Sequence, residues 1–314
     1  MKLISKIALV FCAGLGFVGE GVAGREGLLT FTSFNLKWFG LGGSMSNSLD
    51  DEHRDQSLRE FISTKIPPTD VFSFQEVVDV PRLKDRIVPN GFECVSYDRE
   101  DAKHQHVVLC VAPHLTIDSE PTDDNDIIDE VADAVSGPNK ARPAVHIRIK
   151  NSEGKILSRV VGVHLKAYPQ ESLIRQKQAT VIAKYLKKLQ SSKFPIVVLG
   201  DFNTYSAADT GEKFDDTDLL GRIFNGQGLK LARAPVQDKF TFRSPRSRGL
   251  FDHIWASNSW TVASTPQIYK ICNEAAVNPF QRLQPFEFNF DDADEYYSNV
   301  SDHCPLTVKY QISQ

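Results

Sequence analysis

Pro195-Ile196-Val197-Val198-Leu199 is a continuous apolar run, rich in β-branched residues, that opens directly into Gly200-Asp201-Phe202-Asn203. A run of that length with a glycine at its end predicts a strand buried on both faces. Such a strand needs a packed layer on each side, and the surrounding chain must supply them. Upstream, Ser172–Leu189 places Leu173, Ile174, Val181, Ile182, Tyr185, Leu186 and Leu189 on a helical stripe. That is the pattern of an amphipathic helix. Before it, Leu157–Leu165 reads as a strand carrying Gly162-Val163-His164 near its end. Strand, helix and strand in that order argue for an α/β layered architecture.

The same alternation recurs near the N-terminus. Leu28–Leu36 reads as a strand containing Ser33-Phe34-Asn35, and Arg54–Ile66 reads as a helix stopped by Pro67-Pro68. Val71–Val77 reads as a buried strand with Gln75-Glu76 at its tip. A short helix is expected around Pro81–Val88, followed by strands over Phe92–Ser96, Val107–Ala112, Leu115–Ser119 and Ala144–Ile149. Later strands are expected at Phe240–Arg243, Phe251–Ala256, Thr261–Tyr269 and Leu306–Ile312. No Gly/Ser-rich or Pro-rich linker and no repeat divides residues 25–314, which are read as a single domain.

Residues 1–24 have the anatomy of a secretory signal peptide: Lys2 and Lys6, an apolar run from Ile7 to Val18, then Gly21-Val22-Ala23-Gly24. The run is shorter than the ~20 residues that span a bilayer. The expectation is a secreted or periplasmic protein with no stable membrane insertion, and a monomer. Beyond residue 24 stand Cys94, Cys110, Cys272 and Cys304. An even count in an exported chain points to disulfides. Cys94 and Cys110 lie on two strand-like runs joined by a polar loop, so Cys94–Cys110 with Cys272–Cys304 is the expected pairing. The alternative, a zinc site, lacks any C-x-x-C element.

The formal net charge of -4 excludes binding of polyanions by bulk attraction. Any nucleic-acid contact must come from a local basic patch and metal ions. Short polar patterns at strand ends supply the rest: Asn35, Glu76, His164, Asp201 with Asn203, Phe251-Asp252-His253, and Ser301-Asp302-His303. Each pattern alone is weak, because Asp and Asn after strands are mostly turn formers. Together they hold what phosphodiester hydrolysis needs. Hard divalent ions prefer carboxylate and amide oxygens, and the histidines, without cysteine partners, suit proton transfer or phosphate contact.

The ordered set, with G-D-F-N and S-D-H preceded by Q-E and a histidine, resembles the endonuclease/exonuclease/phosphatase superfamily, deoxyribonuclease I-like, from about Thr30 to about Tyr310. The resemblance implies a four-layered α/β (α+β) sandwich: two packed, mostly antiparallel β-sheets flanked by helices. It implies that Asn35 and Glu76, with Asp302 close by, bind Mg2+ or Mn2+. Asp201 and Asn203 would orient the attacking water or a second ion and contact the phosphate. His303 resembles the catalytic histidine and Asp252 its partner, while His164 resembles the second histidine. Arg142 matches an arginine that reaches substrate phosphate. His253, next to Asp252 on a strand, should face the opposite way and be structural. One departure is Gln105, near the position where deoxyribonuclease I-like members place a glutamate partner for the second histidine.

The substrate expected is nucleic acid, chiefly DNA with RNA also considered. Arg243, Arg246 and Arg248 lie on an aromatic-flanked loop running to Asp252, a composition suited to a phosphate backbone. Lys166 and Arg175 are expected to extend that surface. Alternatives are a sphingomyelinase-like lipid head-group phosphodiesterase, suggested by the apolar loop Trp38-Phe39-Gly40-Leu41-Gly42, and a catalytically silent binding module of the same fold. The acidic stretches 123–133 and 291–295 are candidates for structural Ca2+, although neither has EF-hand spacing.

Overall fold

The structure is a computed structural model that describes residues 27–41, 51–96, 105–118, 127–128, 130–134, 141–189, 194–244, 247–273, 296–297 and 300–312. The expected signal peptide, Arg246, residues 123–126 and 129 of the first acidic stretch and all of the second lie outside the described residues.

Two sheets carry the chain. The first runs, in spatial order, Thr261–Val262 (β14), Leu306–Gln311 (β16), Leu28–Phe39 (β1), Val71–Val77 (β2), His106–Val111 (β4) and Glu93–Ser96 (β3), with Gln267–Ile268 (β15) also on β16. The second runs Leu231–Arg233 (β10), Asp252–Ser257 (β13), Ile196–Asp201 (β9), Ile156–His164 (β8), Ala144–Asn151 (β7) and Leu115–Ile117 (β5), with Ile127–Ile128 (β6) also on β7. Phe242–Arg243 (β11) pairs separately with Arg248–Gly249 (β12). Neighbours are antiparallel except β1–β2 and β8–β9. Parallel partners need a crossover; helices Asp51–Lys65 (α1) and Ser172–Leu189 (α2) provide it.

Burial follows the strand period. On β9, Val197 and Leu199 join Phe31, Phe74 and Leu109 of the other sheet in one core, while Ile196 and Val198 face α2 and the helix Asp216–Gly226 (α3) in a second. Two sheets back to back with helices outside is the expected four-layered sandwich. Odd-numbered positions of β9 and even-numbered ones of β8 and β13 therefore point between the sheets. Gly162 is needed there, because a Cβ would lie 2.9 Å from the side chains of Leu109 and Val107.

Both expected disulfides form: Cys94–Cys110 joins directly opposed residues of β3 and β4, and Cys272–Cys304 ties the turn Lys270–Asn273 to the residue after His303. Several details differ from expectation. Thr261–Tyr269 is two short strands rather than one, with Pro266, which has no N–H to donate, between them. The helix around Pro81–Val88 is one α turn, Val80–Arg82, running into a π-helical turn, Leu83–Ile87. Helix α3 was not expected; its signal is Leu219, Leu220, Ile223 and Phe224, interrupted by Gly221. Among the described residues no helix is long and apolar enough to cross a membrane.

Candidate active site

Register brings the site together. His164 at the end of β8 lies beside Asp201 at the end of β9, and Asp201 lies opposite Asp252 at the start of β13. All three point between the sheets. Gly200 makes this spacing attainable: its φ is +147°, and a Cβ would fall 2.0 Å from the Val163 carbonyl oxygen. Gly200→Ala should therefore cost about 2–5 kcal/mol, from backbone strain plus collision with a neighbour that cannot yield. Urea denaturation measures it; an unfolding free energy matching that of the parent protein would refute this account of Gly200.

The other sheet contributes across the gap. Asn35 Nδ2 donates to Asp201 Oδ2 at 2.9 Å and to Glu76 Oε1 at 3.2 Å. Strand alternation alone would aim Glu76 away from Gln75. The chain breaks the alternation: Glu76 has φ +56°, and the β2–β4 register shifts there. Such irregularities re-aim side chains. A matching bulge in β1, with Lys37 and Trp38 at φ +45° and +53°, lets the Trp38 N–H donate to Glu76 Oε2 at 3.1 Å. Buried Arg54 fastens the bulge by donating to the carbonyls of Leu36, Lys37 and Val300, the last two at 2.9 and 3.3 Å. Asn203, in the left-handed region that asparagine tolerates, closes a turn through its N–H to Asp201 Oδ1 at 2.8 Å; its amide donates to the Leu165 carbonyl.

His303 is fixed on several sides. Its Nδ1 is 2.8 Å from Asp252 Oδ2, and its Nε2 is 3.7 Å from Asp201 Oδ2. Its N–H donates to Ser301 Oγ, which itself donates to the Asn35 carbonyl, and Tyr296 OH donates to the His303 carbonyl at 2.6 Å. The ring packs on Phe242, centroids 5.0 Å apart. Burial works against a charged His303, but Asp252, Asp201 and Asp302 outweigh it and raise its pKa. Burial, then Arg142 and His303, push His164 well below the ordinary imidazole range. Desolvation raises Glu76, reinforced by Asp302, and raises Asp201, reinforced by Asp252.

The expected residues thus converge with some redistribution. Glu76, His164 and Asp201 each offer a ligand atom within 4.8 Å of one another. Asp302 flanks this group, close enough to act on Glu76, Lys37 and His303. Asn35 turns its Nδ2 to the Glu76 and Asp201 carboxylates, and its Oδ1 accepts from the Lys37 N–H at 2.9 Å, so of the expected metal set of Asn35, Glu76 and Asp302 the two carboxylates remain, joined by His164 and Asp201. The donor types fit a divalent cation: carboxylates crowded enough to disfavour their own ionisation are those a dication would relieve. His253 turns to the far side of β13 and bonds Thr204 Oγ1 through Nε2 at 2.7 Å, as expected.

Arg142 stands beside Glu76 and Asp201, and its guanidinium donates to Gln105 Oε1. Gln105 thus holds the arginine and not the second histidine. The other arginines need correction. Arg243 is buried and its guanidinium donates to the Ile271 carbonyl at 2.8 Å, so it braces the loop and is not offered to a phosphate. Arg175, expected on the surface, is fully buried in an ion pair with Asp216. Arg248 remains exposed, over the Phe240 ring at 5.6 Å. Missed from sequence was Lys37, buried beside Asp302; a lysine within Leu36-Lys37-Trp38-Phe39 was the available signal.

The sequence model of the Endonuclease/Exonuclease/phosphatase family matches residues 32–303. No protein with a curated description matches. Among solved structures, an endonuclease/exonuclease/phosphatase from Bacteroides vulgatus is 17% identical, with 91% of this chain and 99% of that one covered and a TM-score of 0.60. The human Nocturnin catalytic domain, with a bound sulfate anion, is 18% identical, with 91% and 95% covered and a TM-score of 0.59. A mannosyl-6-phosphatase from Bacteroides thetaiotaomicron is 17% identical, with 90% and 99% covered and a TM-score of 0.58.

Proposed function

This chain belongs to the endonuclease/exonuclease/phosphatase family, and from that premise we propose that it is an exported, divalent-metal-dependent nuclease acting on DNA. It is a hydrolase of phosphoester bonds; the nucleic-acid substrate, the export and the residue roles are our reading. The observation that carries it is the Asp252–His303 pair at 2.8 Å, set against the Glu76, His164 and Asp201 group with Arg142 alongside.

In this reading His303 takes the proton of the attacking water at Nε2, in the neutral form it would have once a dication offsets the carboxylates that raise its pKa. Asp252, bonded to Nδ1, fixes the tautomer and stabilises the imidazolium that forms. The water oxygen bonds to phosphorus as the bond to the leaving oxygen breaks. Asp201 and Asn203 orient the water and the phosphate, and Arg142 and His164 contact the non-bridging oxygens. Glu76 and Asp302, with Asp201 and His164 adjoining, would hold Mg2+ or Mn2+, and Asn35, donating to Glu76 and Asp201, orients those two carboxylates. When bound, such an ion neutralises phosphate charge and stabilises the leaving oxygen. Arg248 serves the flanking backbone. The N-terminal pattern of residues 1–24 and the two disulfides support export.

Purified protein with Mg2+ should nick supercoiled plasmid, and EDTA should stop it. Sphingomyelin vesicles and a phosphate monoester serve as competing substrates. Release of phosphocholine or phosphate, with plasmid left intact through long incubation, would overturn the nuclease reading in favour of a lipid phosphodiesterase or a phosphatase.

A further inference from the structure

The loop after β8 contains an outlier that the roles above do not use. Tyr168 has φ +80° and ψ 139°, a conformation that non-glycine residues rarely adopt, and it is 61% exposed. Strained residues persist only where their surroundings over-determine them, and they concentrate at sites of function. Here the surroundings are explicit. Arg175, fully buried, donates to the carbonyls of Lys166, Tyr168 and Pro169 at 3.0, 2.6 and 3.4 Å. Its other bonds run to Asp216 at 2.9 and 2.5 Å, and its guanidinium lies 5.0 Å from the Tyr205 ring centre. The Tyr205 N–H donates to the same carboxylate at 3.1 Å.

Burying an ion pair carries a desolvation cost. This one spends its guanidinium on three carbonyls of a solvent-facing loop. What the clamp secures is the backbone of one exposed aromatic residue, four residues beyond His164. The loop leaves β8 at the site itself, with the Leu165 N–H on the Asp201 carbonyl at 2.8 Å and the Asn203 amide on the Leu165 carbonyl at 3.2 Å, so Tyr168 borders the catalytic residues. An exposed aromatic residue on a clamped loop at the edge of a phosphate-hydrolysing site suits a strand of nucleic acid, on whose bases the ring can stack. The clamp matters, since a loop whose backbone is already in place loses little freedom on binding.

We propose that Tyr168 is a nucleobase-stacking subsite flanking the scissile phosphate, a proposal that rests on the nuclease reading. The test compares kinetics on oligothymidylate with those on an abasic tetrahydrofuran oligomer of equal length. Tyr168→Ala should raise KM on oligothymidylate about tenfold or more, with kcat little changed. It should leave the abasic oligomer unaffected, and Tyr168→Phe should behave as the parent. Tyr168→Gly, which removes the ring and accepts the positive φ without strain, should lose the same factor. An equal loss on both oligomers, or no loss on oligothymidylate in a protein that cleaves it, overturns the subsite alone. A parent protein that cleaves neither oligomer overturns the nuclease reading and the subsite with it.

Discussion

His303→Ala is expected to lower phosphodiester hydrolysis by about 10²–10⁴-fold in kcat, with KM little moved, because the imidazole acts on the proton in flight and not on bound substrate. The geometry explains why nothing nearby substitutes. His164 is the other imidazole of the site, but its Nε2 faces Glu76 at 3.8 Å and Asp201 at 3.5 Å, and its Nδ1 has no hydrogen-bond partner among the described residues. It lacks the carboxylate that His303 has in Asp252 at 2.8 Å. Asp252→Asn should therefore lose activity in the same range with the fold intact, since an amide that donates to Nδ1 would favour the wrong tautomer. The double variant should be little worse than either single one, as expected of residues acting as a unit. Steady-state kinetics on plasmid or oligonucleotide, with far-UV circular dichroism to confirm folding, checks both. Additive losses would mean that the two side chains work separately.

Glu76→Gln should give the second large effect, and it separates binding from stability. The carboxylate lies at the centre of the ligand group, so its loss should weaken Mn2+ or Mg2+ binding by more than the 10–100-fold typical of an outer-shell partner. Activity at fixed metal concentration should fall accordingly. Without metal the variant should be more stable than the parent, because Glu76 is disfavoured as an anion by desolvation and by Asp302, and an amide removes that repulsion. The parent, in contrast, should gain about 2.7 kcal/mol from metal at 100 times its Kd, a gain the variant should lack at the same concentration. Thermal denaturation with and without metal, alongside calorimetric titration, reads both halves. A variant that binds and responds to metal like the parent would remove Glu76 from the site.

Much of this arrangement was legible before folding because it is local. The run 195–199 read as an apolar strand, which folds as Ile196–Asp201, and Ser172–Leu189 was bounded by its helical stripe. Residue types at strand tips named the chemistry, and Cys94 and Cys110 on adjoining strand-like runs anticipated the bond between them. Sequence could not say which charged side chains would remain at the surface. Arg175 and Arg243 read as solvent-facing cations, yet both are buried, one on Asp216 and the other on the Ile271 carbonyl. Their partners lie 41 and 28 residues away in the chain, and periodicity carries no information at that range.

Glu76 shows the division most clearly. Its identity came from the chain, but strict alternation would have turned it from Asn35, and a left-handed backbone at the end of β2 redirects it. Layers and kinds of ligand could be read from the order of residues alone, because apolarity and donor chemistry are properties of individual side chains. Which ligands meet is settled by folding, because register, bulges and the approach of Gly200 to Val163 depend on how the strands pair and the two sheets pack.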